Sequence, residues 1–372
     1  MTFDYAVRQA RLIGVRGVDA IAIVPGANML YYTGVHFHLS ERPIVAIFDQ
    51  SGAAFIVPEL EVPKLAARPD LEARVFTWTD TEGFEGAFKQ AVRELRLDEA
   101  TLGVDGQTMR VFEYLAFRQA GSHDMRNVGH ELLRIRAIKD AAEVEAMRRA
   151  IRLSEQALYR VLSGVRPGMT ERQIAGEISR ALSEAGSQGE ACAPLVQIGP
   201  NSALPHGLPG DRALNADEFL LIDFGGMMDD YPADITRTFC LGQPSDEMQR
   251  MQAAVLAANQ AAIAAIRPGV TCGEIDRAAR QVIEDAGYGQ YFIHRTGHGL
   301  GLEGHELPQV AAGVGETLEA GMVFTVEPGV YVPGVGGVRI EDNVHVVDSG
   351  VEVLTQFPRD LTHHFTRDEK VE

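Results

Sequence analysis

Two stretches of the chain, RPGMTERQIAGEISRALSEAG at 166–186 and RPGVTCGEIDRAARQVIEDAG at 267–287, align without a gap. They share Arg, Pro, Gly, Thr, Ile and a closing Ala-Gly at equivalent places. In each copy Thr170 or Thr271 is placed to N-cap a helix, and Gly186 or Gly287 to end it. The apolar faces agree as well: Ile174, Ile178, Leu182 and Ala185 in the first copy, Ile275, Ala279, Val282, Ile283 and Ala286 in the second. A chain that repeats a capped helix in this way is expected to form two related halves, each with helices followed by antiparallel strands. A site between such halves would draw side chains from both.

Each half also places acids where an apolar strand should refuse them. In FLLIDFGGMMDDYPADITRTFC, residues 219–240, Asp223 follows Leu220, Leu221 and Ile222, and Asp234 opens an alternating run. The intervening GGMMDDYP has turn chemistry, so the strands can fold back as a hairpin that brings the two carboxylates together. In MVFTVEPGVYVPGVGGVRIEDNVHVV, residues 322–347, Glu327 shares a strand face with Val323 and Thr325. Arg339, Glu341 and Asn343 share a face of the partner strand. One such acid would be a turn cap or a solvent-facing residue. Four of them beside glycine-rich turns need a positive partner, because crowded carboxylates repel each other and lose hydration.

Between the hairpins lies FIHRTGHGLGLEGHELP, residues 292–308, with His294, His298 and His305 in a segment too rich in glycine for a continuous helix. Four carboxylates and an imidazole would offset most of the charge of two divalent cations. Such a hard, oxygen-rich set suits Mn²⁺ or Co²⁺, tolerates Zn²⁺ and differs from a thiolate structural site. Two cations about 3.5–4 Å apart can hold a hydroxide at neutral pH and polarise a carbonyl, which points to hydrolysis.

The preceding part, residues 1–132, reads as a smaller α/β domain of alternating helices and strands, with the boundary placed where LLRIRAIKDAAEVEAMRRAIRLSEQALYRVLSG begins a long amphipathic helix. Within it, NMLYYTGVHFHLSERP, residues 28–43, reads as a loop holding His36, His38 and Arg42. The net charge of −18 argues against nucleic acid as a partner. No apolar run is long enough for a membrane span, and the N-terminus lacks the pattern of a secretory signal, so a cytoplasmic location is expected. Cys192, Cys240 and Cys272 are scattered and carry no metal motif.

In order, Asp223, Asp234, His298, Glu327 and Glu341, with GHGLGLEGHE, VEPGVY and GVRIEDNV around the last three, resemble the ligand set of the pita-bread metallopeptidases. That family includes Xaa-Pro dipeptidase (prolidase), Xaa-Pro aminopeptidase and methionine aminopeptidase. The resemblance implies a mixed α/β chain: a creatinase-like N-terminal domain over 1–132, then a pita-bread catalytic domain over 133–372 with a pseudo-two-fold repeat. The long N-terminal domain argues against the bacterial type of methionine aminopeptidase. The complete ligand set argues against creatinase and against a non-catalytic peptide-binding module. Another small-amide hydrolase on the same scaffold stays open, since fold does not fix substrate.

By the same resemblance, Asp223 binds one metal ion, His298 and Glu327 bind the other, and Asp234 and Glu341 bridge them. The two divalent ions are expected to be Mn²⁺, with Co²⁺ or Zn²⁺ as alternatives. A bridging hydroxide attacks the carbonyl and Glu327 serves as general base. His206, in PHG, with His294 and His305, lines the substrate and steadies the tetrahedral intermediate. Arg339 orients the metal carboxylates, and Thr236 is a supporting partner. A homodimer is implied as well. The Xaa-Pro bond is a tertiary amide without an N–H, which general proteases grip poorly. A dipeptidase must also recognise the carboxylate that follows proline, and Arg42 is expected to supply that charge, across a dimer interface if need be. The metal motifs themselves leave Xaa-Pro aminopeptidase open beside Xaa-Pro dipeptidase.

Overall fold

The computed structural model describes residues 3–362. The chain divides into two compact units between Arg136 and Ala137. The first unit contains α1 (Tyr5–Ile13), β1 (Ala20–Ile23), α2 (Ala27–Thr33), β2 (Val45–Asp49), β3 (Gly52–Pro58), α3 (Val62–Ala66), β4 (Ala73–Trp78), α4 (Glu85–Glu94), β5 (Leu102–Val104), α5 (Val111–Ala120) and β6 (Met125–Asn127). Its mixed sheet has the order β4-β3-β2-β1-β5-β6. Ile47, Ile56, Phe76 and Trp78 from the sheet pack with Phe88, Ala91, Val92 and Phe117 from α4 and α5. The 28–43 stretch is only partly loop: α2 takes its first residues, and Gly34, at φ 64°, ends the helix in a conformation that suits glycine. Strand β4, absent from the sequence reading, pairs parallel with β3.

The helix expected to start near residue 131 is two helices, α6 (Gly129–Ala137) and α7 (Ala141–Leu162). Between them Ile138 bridges to Met322, and the Lys139 amide donates to the Gly321 carbonyl at 2.9 Å. Asp140 then caps α7 in a capping box with Glu143. A tertiary pairing at Ile138 and Lys139 and the local cap at Asp140 together interrupt a pattern that reads as one helix by its apolar periodicity.

The rest of the second unit contains α8 (Glu171–Glu184), β7 (Leu195–Ile198), β8 (Leu220–Phe224), β9 (Met227–Met228), β10 (Tyr231–Pro232), β11 (Ile235–Phe239), α9 (Asp246–Ala265), α10 (Cys272–Asp285), β12 (Gly297–Gly299), β13 (Glu306–Val310), β14 (Val323–Val326), β15 (Gly329–Val332), β16 (Gly336–Arg339), β17 (Asp342–Val347) and β18 (Gly350–Val353). The repeat is visible in its hydrogen bonds. Thr170 and Thr271 each cap their helix through a capping box. Gly168 donates to the Leu214 carbonyl and Leu214 to the Met169 carbonyl; Gly269, Leu318 and Val270 repeat the pattern.

The first half closes on the sheet β11-β8-β7, the second on β13-β12-β14-β17-β18. Asp229 and Asp230, at φ 49° and 68°, form the two-residue turn joining β9 to β10. The second acidic hairpin is less regular than its sequence suggests. Its ladder lapses between the pair Val326 and Asp342 and the pair Gly329 and Arg339, yet the register continues across the gap. Glu327 and Glu341 thus face each other at the lapse. Their amides pair elsewhere, Glu327 with the Thr296 carbonyl at 2.7 Å and Glu341 with the Thr236 carbonyl at 3.1 Å. Among the described residues, no helix is long and apolar enough to cross a membrane.

Candidate active site

The acidic hairpins and the histidine segment line one cavity of about 710 Å³ in the second unit. Its walls carry Asp223, Asp234, His298, Glu327, Glu341 and Arg339, together with His206, His294 and His305. Antiparallel pairing puts Asp223 opposite Thr236, and Asp234 precedes Thr236 by two residues on the same face. His298 reaches this cluster because glycines flank it: a Cβ on Gly297 would lie 1.8 Å from the Thr325 carbonyl oxygen, and one on Gly299 2.0 Å from that of Leu307.

Ligand atoms of Asp234, His298 and Glu341 all lie within 4.8 Å of one another. His298 Nε2 is 3.3 Å from Glu327 Oε1 and 3.8 Å from Asp234 Oδ2. His298 Nδ1 faces the Gly299 carbonyl at 3.2 Å, so Nδ1 carries the proton and Nε2 offers a lone pair. Burial, and then the neighbouring His305, hold His298 down to about 3, so the ring stays neutral. A neutral nitrogen facing carboxylate oxygens at this range requires a proton or a cation between them. Asp223 Oδ1 is likewise buried without a hydrogen-bond partner. The donor set therefore fits divalent cations.

Around this cluster the polar atoms are tightly ordered. Arg339 donates from Nη2 to Asp223 Oδ2 at 2.6 Å, from Nε to Thr236 Oγ1 at 3.0 Å and from Nη1 to the Tyr331 hydroxyl at 2.9 Å. The Thr236 hydroxyl in turn donates a hydrogen bond to Glu341 Oε2 at 2.6 Å. Tyr331 was absent from the sequence reading, although the VEPGVY motif contains it. Its hydroxyl lies 2.8 Å from His294 Nε2, while His294 Nδ1 lies 2.7 Å from the Arg295 carbonyl. Both ring nitrogens of His294 are therefore engaged inside the protein, and burial lowers its pKa to about 4. His305 packs edge-on to His298, with ring centroids 4.1 Å apart.

Burial raises Asp234 and Glu341 well above ordinary carboxylates, reinforced by Asp223 at the first and Asp234 at the second. Burial pushes Glu327 up to about 7 against the opposing charge of Arg339. Cation uptake must therefore displace protons. Affinity for Mn²⁺ is expected to weaken as pH falls below about 7, where Glu327 regains its proton while His298 stays neutral. Titration calorimetry in buffers of differing ionisation enthalpy would measure both affinity and proton release; an affinity constant between about pH 6 and 8 would contradict this.

Arg42 belongs to the first unit. Its guanidinium is engaged by Asp80, with Nε and Nη2 at 3.0 and 2.8 Å from the two carboxylate oxygens, and by Glu41. The cavity holds another cation that the sequence reading passed over, Arg295. Its Nη1 donates to Gln309 Oε1, and no ion pair engages it among the described residues.

Residues 145–348 match the profile of metallopeptidase family M24, and residues 8–138 that of the creatinase/prolidase N-terminal domain. The chain belongs to this metallopeptidase family, with the pita-bread fold and creatinase-like N-terminal domain expected from its motifs. It is 35% identical over 342 residues to an uncharacterized peptidase of Staphylococcus aureus, covering 92% of this chain and 95% of the relative. Among solved structures it resembles an Xaa-Pro dipeptidase from Bacillus anthracis, with a TM-score of 0.88, 30% identity and coverage of 96% and 99% of the two chains. An X-Pro aminopeptidase from Thermotoga maritima superposes with a TM-score of 0.85 and 31% identity, over 96% and 100%.

Proposed function

We propose that this protein is an Xaa-Pro dipeptidase that works with two divalent cations, Mn²⁺ first among them. Asp223, Asp234, His298, Glu327 and Glu341 would hold the cations. When bound, they supply a nucleophilic water at neutral pH and polarise the scissile carbonyl. Glu327 takes a proton at its carboxylate and returns it to the leaving proline nitrogen. His206 and His305 aim N–H donors at the carbonyl oxygen as it gains charge. Arg339 and Thr236 keep Asp223 and Glu341 oriented, and Tyr331 holds His294 in one tautomer.

The observation that carries the dipeptide reading is Arg295, a guanidinium on the cavity wall without an acidic partner among the described residues. A substrate carboxylate directly after proline would complete its coordination. Longer peptides lack a charge at that position. The similarity to an X-Pro aminopeptidase supports the second reading, release of the first residue from longer chains.

A substrate-length series separates the two. Ala-Pro is expected to turn over at least about tenfold faster than Ala-Pro-Ala, and Arg295→Gln to raise the KM for Ala-Pro by about tenfold or more, as loss of a charged hydrogen bond implies. Equal or faster cleavage of the tripeptide would favour the aminopeptidase. No hydrolysis of either, with cations bound, would overturn both.

A further inference from the structure

The histidines on the cavity wall sit in glycine-rich or irregular segments, yet the loops bearing two of them are held by acids outside the cation cluster. The loop with His206 begins at the end of β7 and runs to Gly210. Glu171, 1% exposed in the first turn of α8, holds both ends. Its Oε1 accepts from the Ile198 amide at 2.9 Å and from Asn201 Nδ2 at 2.8 Å, and its Oε2 accepts from the Gly210 amide at 2.8 Å. Between these anchors the Arg339 guanidinium touches the Pro205 carbonyl, linking the loop to the cluster.

The second repeat does the same for His294. Asp276, also 1% exposed, lies on α10 one turn beyond Cys272, the counterpart of Glu171, and so on the same helix face. Its Oδ1 accepts from the Thr296 amide at 3.2 Å and hydroxyl at 2.8 Å. It also pairs with Arg280, whose Nη1 and Nη2 donate to the Phe292 and His294 carbonyls, each at 3.0 Å. In both halves, then, a buried acid on the repeated helix holds the backbone on either side of a cavity histidine, Glu171 directly and Asp276 on one side through Arg280.

We infer that Glu171 and Asp276 are positioning residues, each fixing the place of one histidine on the cavity wall, His206 and His294 respectively. The inference rests on the dipeptidase reading for its kinetic consequence, but its geometry belongs to the chain alone. An amide in place of either carboxylate turns one acceptor into a donor facing a donor, so one anchor of the loop is lost while the helix keeps its length and shape. A displacement of about 1 Å at a group that acts in the transition state is enough to cost up to about 100-fold.

The test is a set of paired variants assayed on Ala-Pro with saturating Mn²⁺. Glu171→Gln is expected to lower kcat/KM about tenfold in the native background. It should have no further effect in His206→Ala and its full effect in His294→Ala. Asp276→Asn should show the reverse pattern. Equal effects in both histidine backgrounds would mean general loosening and overturn the inference.

A second readout needs no turnover: in the metal-free protein, Glu171→Gln should shift the imidazole proton resonance of His206 and leave that of His294 in place. An unmoved His206 resonance overturns the inference by itself. Should the native protein fail to hydrolyse Xaa-Pro substrates, the dipeptidase reading falls and this resonance still decides the positioning role. Glu171→Asp keeps the charge but is too short to hold both ends, and replaces the amide variant if that variant does not fold.

Discussion

Glu341→Gln is expected to abolish retention of divalent cations and to lower Ala-Pro turnover by about 10³-fold, while leaving the metal-free protein no less stable. The several kcal/mol that a bound cation contributes to charge stabilisation set the kinetic scale. Glu341 is 2% exposed, faces Glu327 across the lapsed ladder and accepts a hydrogen bond from the Thr236 hydroxyl. Its folded-state pKa is raised by burial and then by Asp234, Glu327 and Asp223. A carboxylate raised in this way stabilises the fold when protonated, and that contribution is lost as pH rises through the folded pKa. A neutral amide removes the cost of ionising there. Mn²⁺ should therefore raise the melting temperature of the native protein and leave that of the variant unchanged. Metal analysis after dialysis and paired thermal melts at about pH 8 would show both effects. A structural glutamate would behave differently: its loss would lower the melting temperature with and without cations.

The legible parts of this molecule were those encoded over short distances. Thr170 and Thr271 cap helices because the bond each needs lies three residues away. The strands flanking Asp223 could be read because apolar residues crowd beside a Gly-Asp turn. Pairing Glu327 with Glu341 followed from one hairpin, though the gap in its ladder did not. That gap arises because their amides bond Thr296 and Thr236, which are distant in sequence. The break at Ile138 and Lys139 is made by distant partners, Met322 and Gly321, although its far end carries a local mark in the capping box of Asp140 and Glu143.

The two arginines teach the same lesson about charge. Arg42 and Arg295 both lie near histidines in loops, and the one local difference is Glu41 beside Arg42. The difference made by the fold is Asp80, which neutralises the first, and the lack of an acidic partner at the second among the described residues. Glu171 and Asp276 were equally hidden. On a helix they read as ordinary polar residues, and only the folded loops reveal what they accept.

The largest effect on stability is expected at Asp342, immediately after Glu341. Asp342 is fully buried, with Oδ1 2.8 Å from Arg237 Nη2 and Oδ2 accepting from Arg359 Nε at 2.7 Å and Asn259 Nδ2 at 3.0 Å. Arg237, 1% exposed, also donates to the carbonyls of Thr236, Glu341 and Phe357. The pair therefore ties β11 to the start of β17, next to Glu341, from behind the cation cluster. Asp342→Ala leaves the Arg237 guanidinium buried without its counter-charge and should cost about 3–5 kcal/mol. Replacing both members, Arg237→Met with Asp342→Leu, removes the uncompensated charge and should recover much of that loss, because apolar pairs often substitute for buried ion pairs at little cost. Urea denaturation of the metal-free proteins would provide the comparison. A double variant as unstable as Asp342→Ala would show that the hydrogen bonds from Arg237 to the backbone, rather than its charge, hold the two hairpins together. Recovery of stability without recovery of Mn²⁺ affinity would instead mean that the hydrogen bonds from Arg237 to the Thr236 and Glu341 carbonyls place the Glu341 carboxylate for the cations rather than hold the fold.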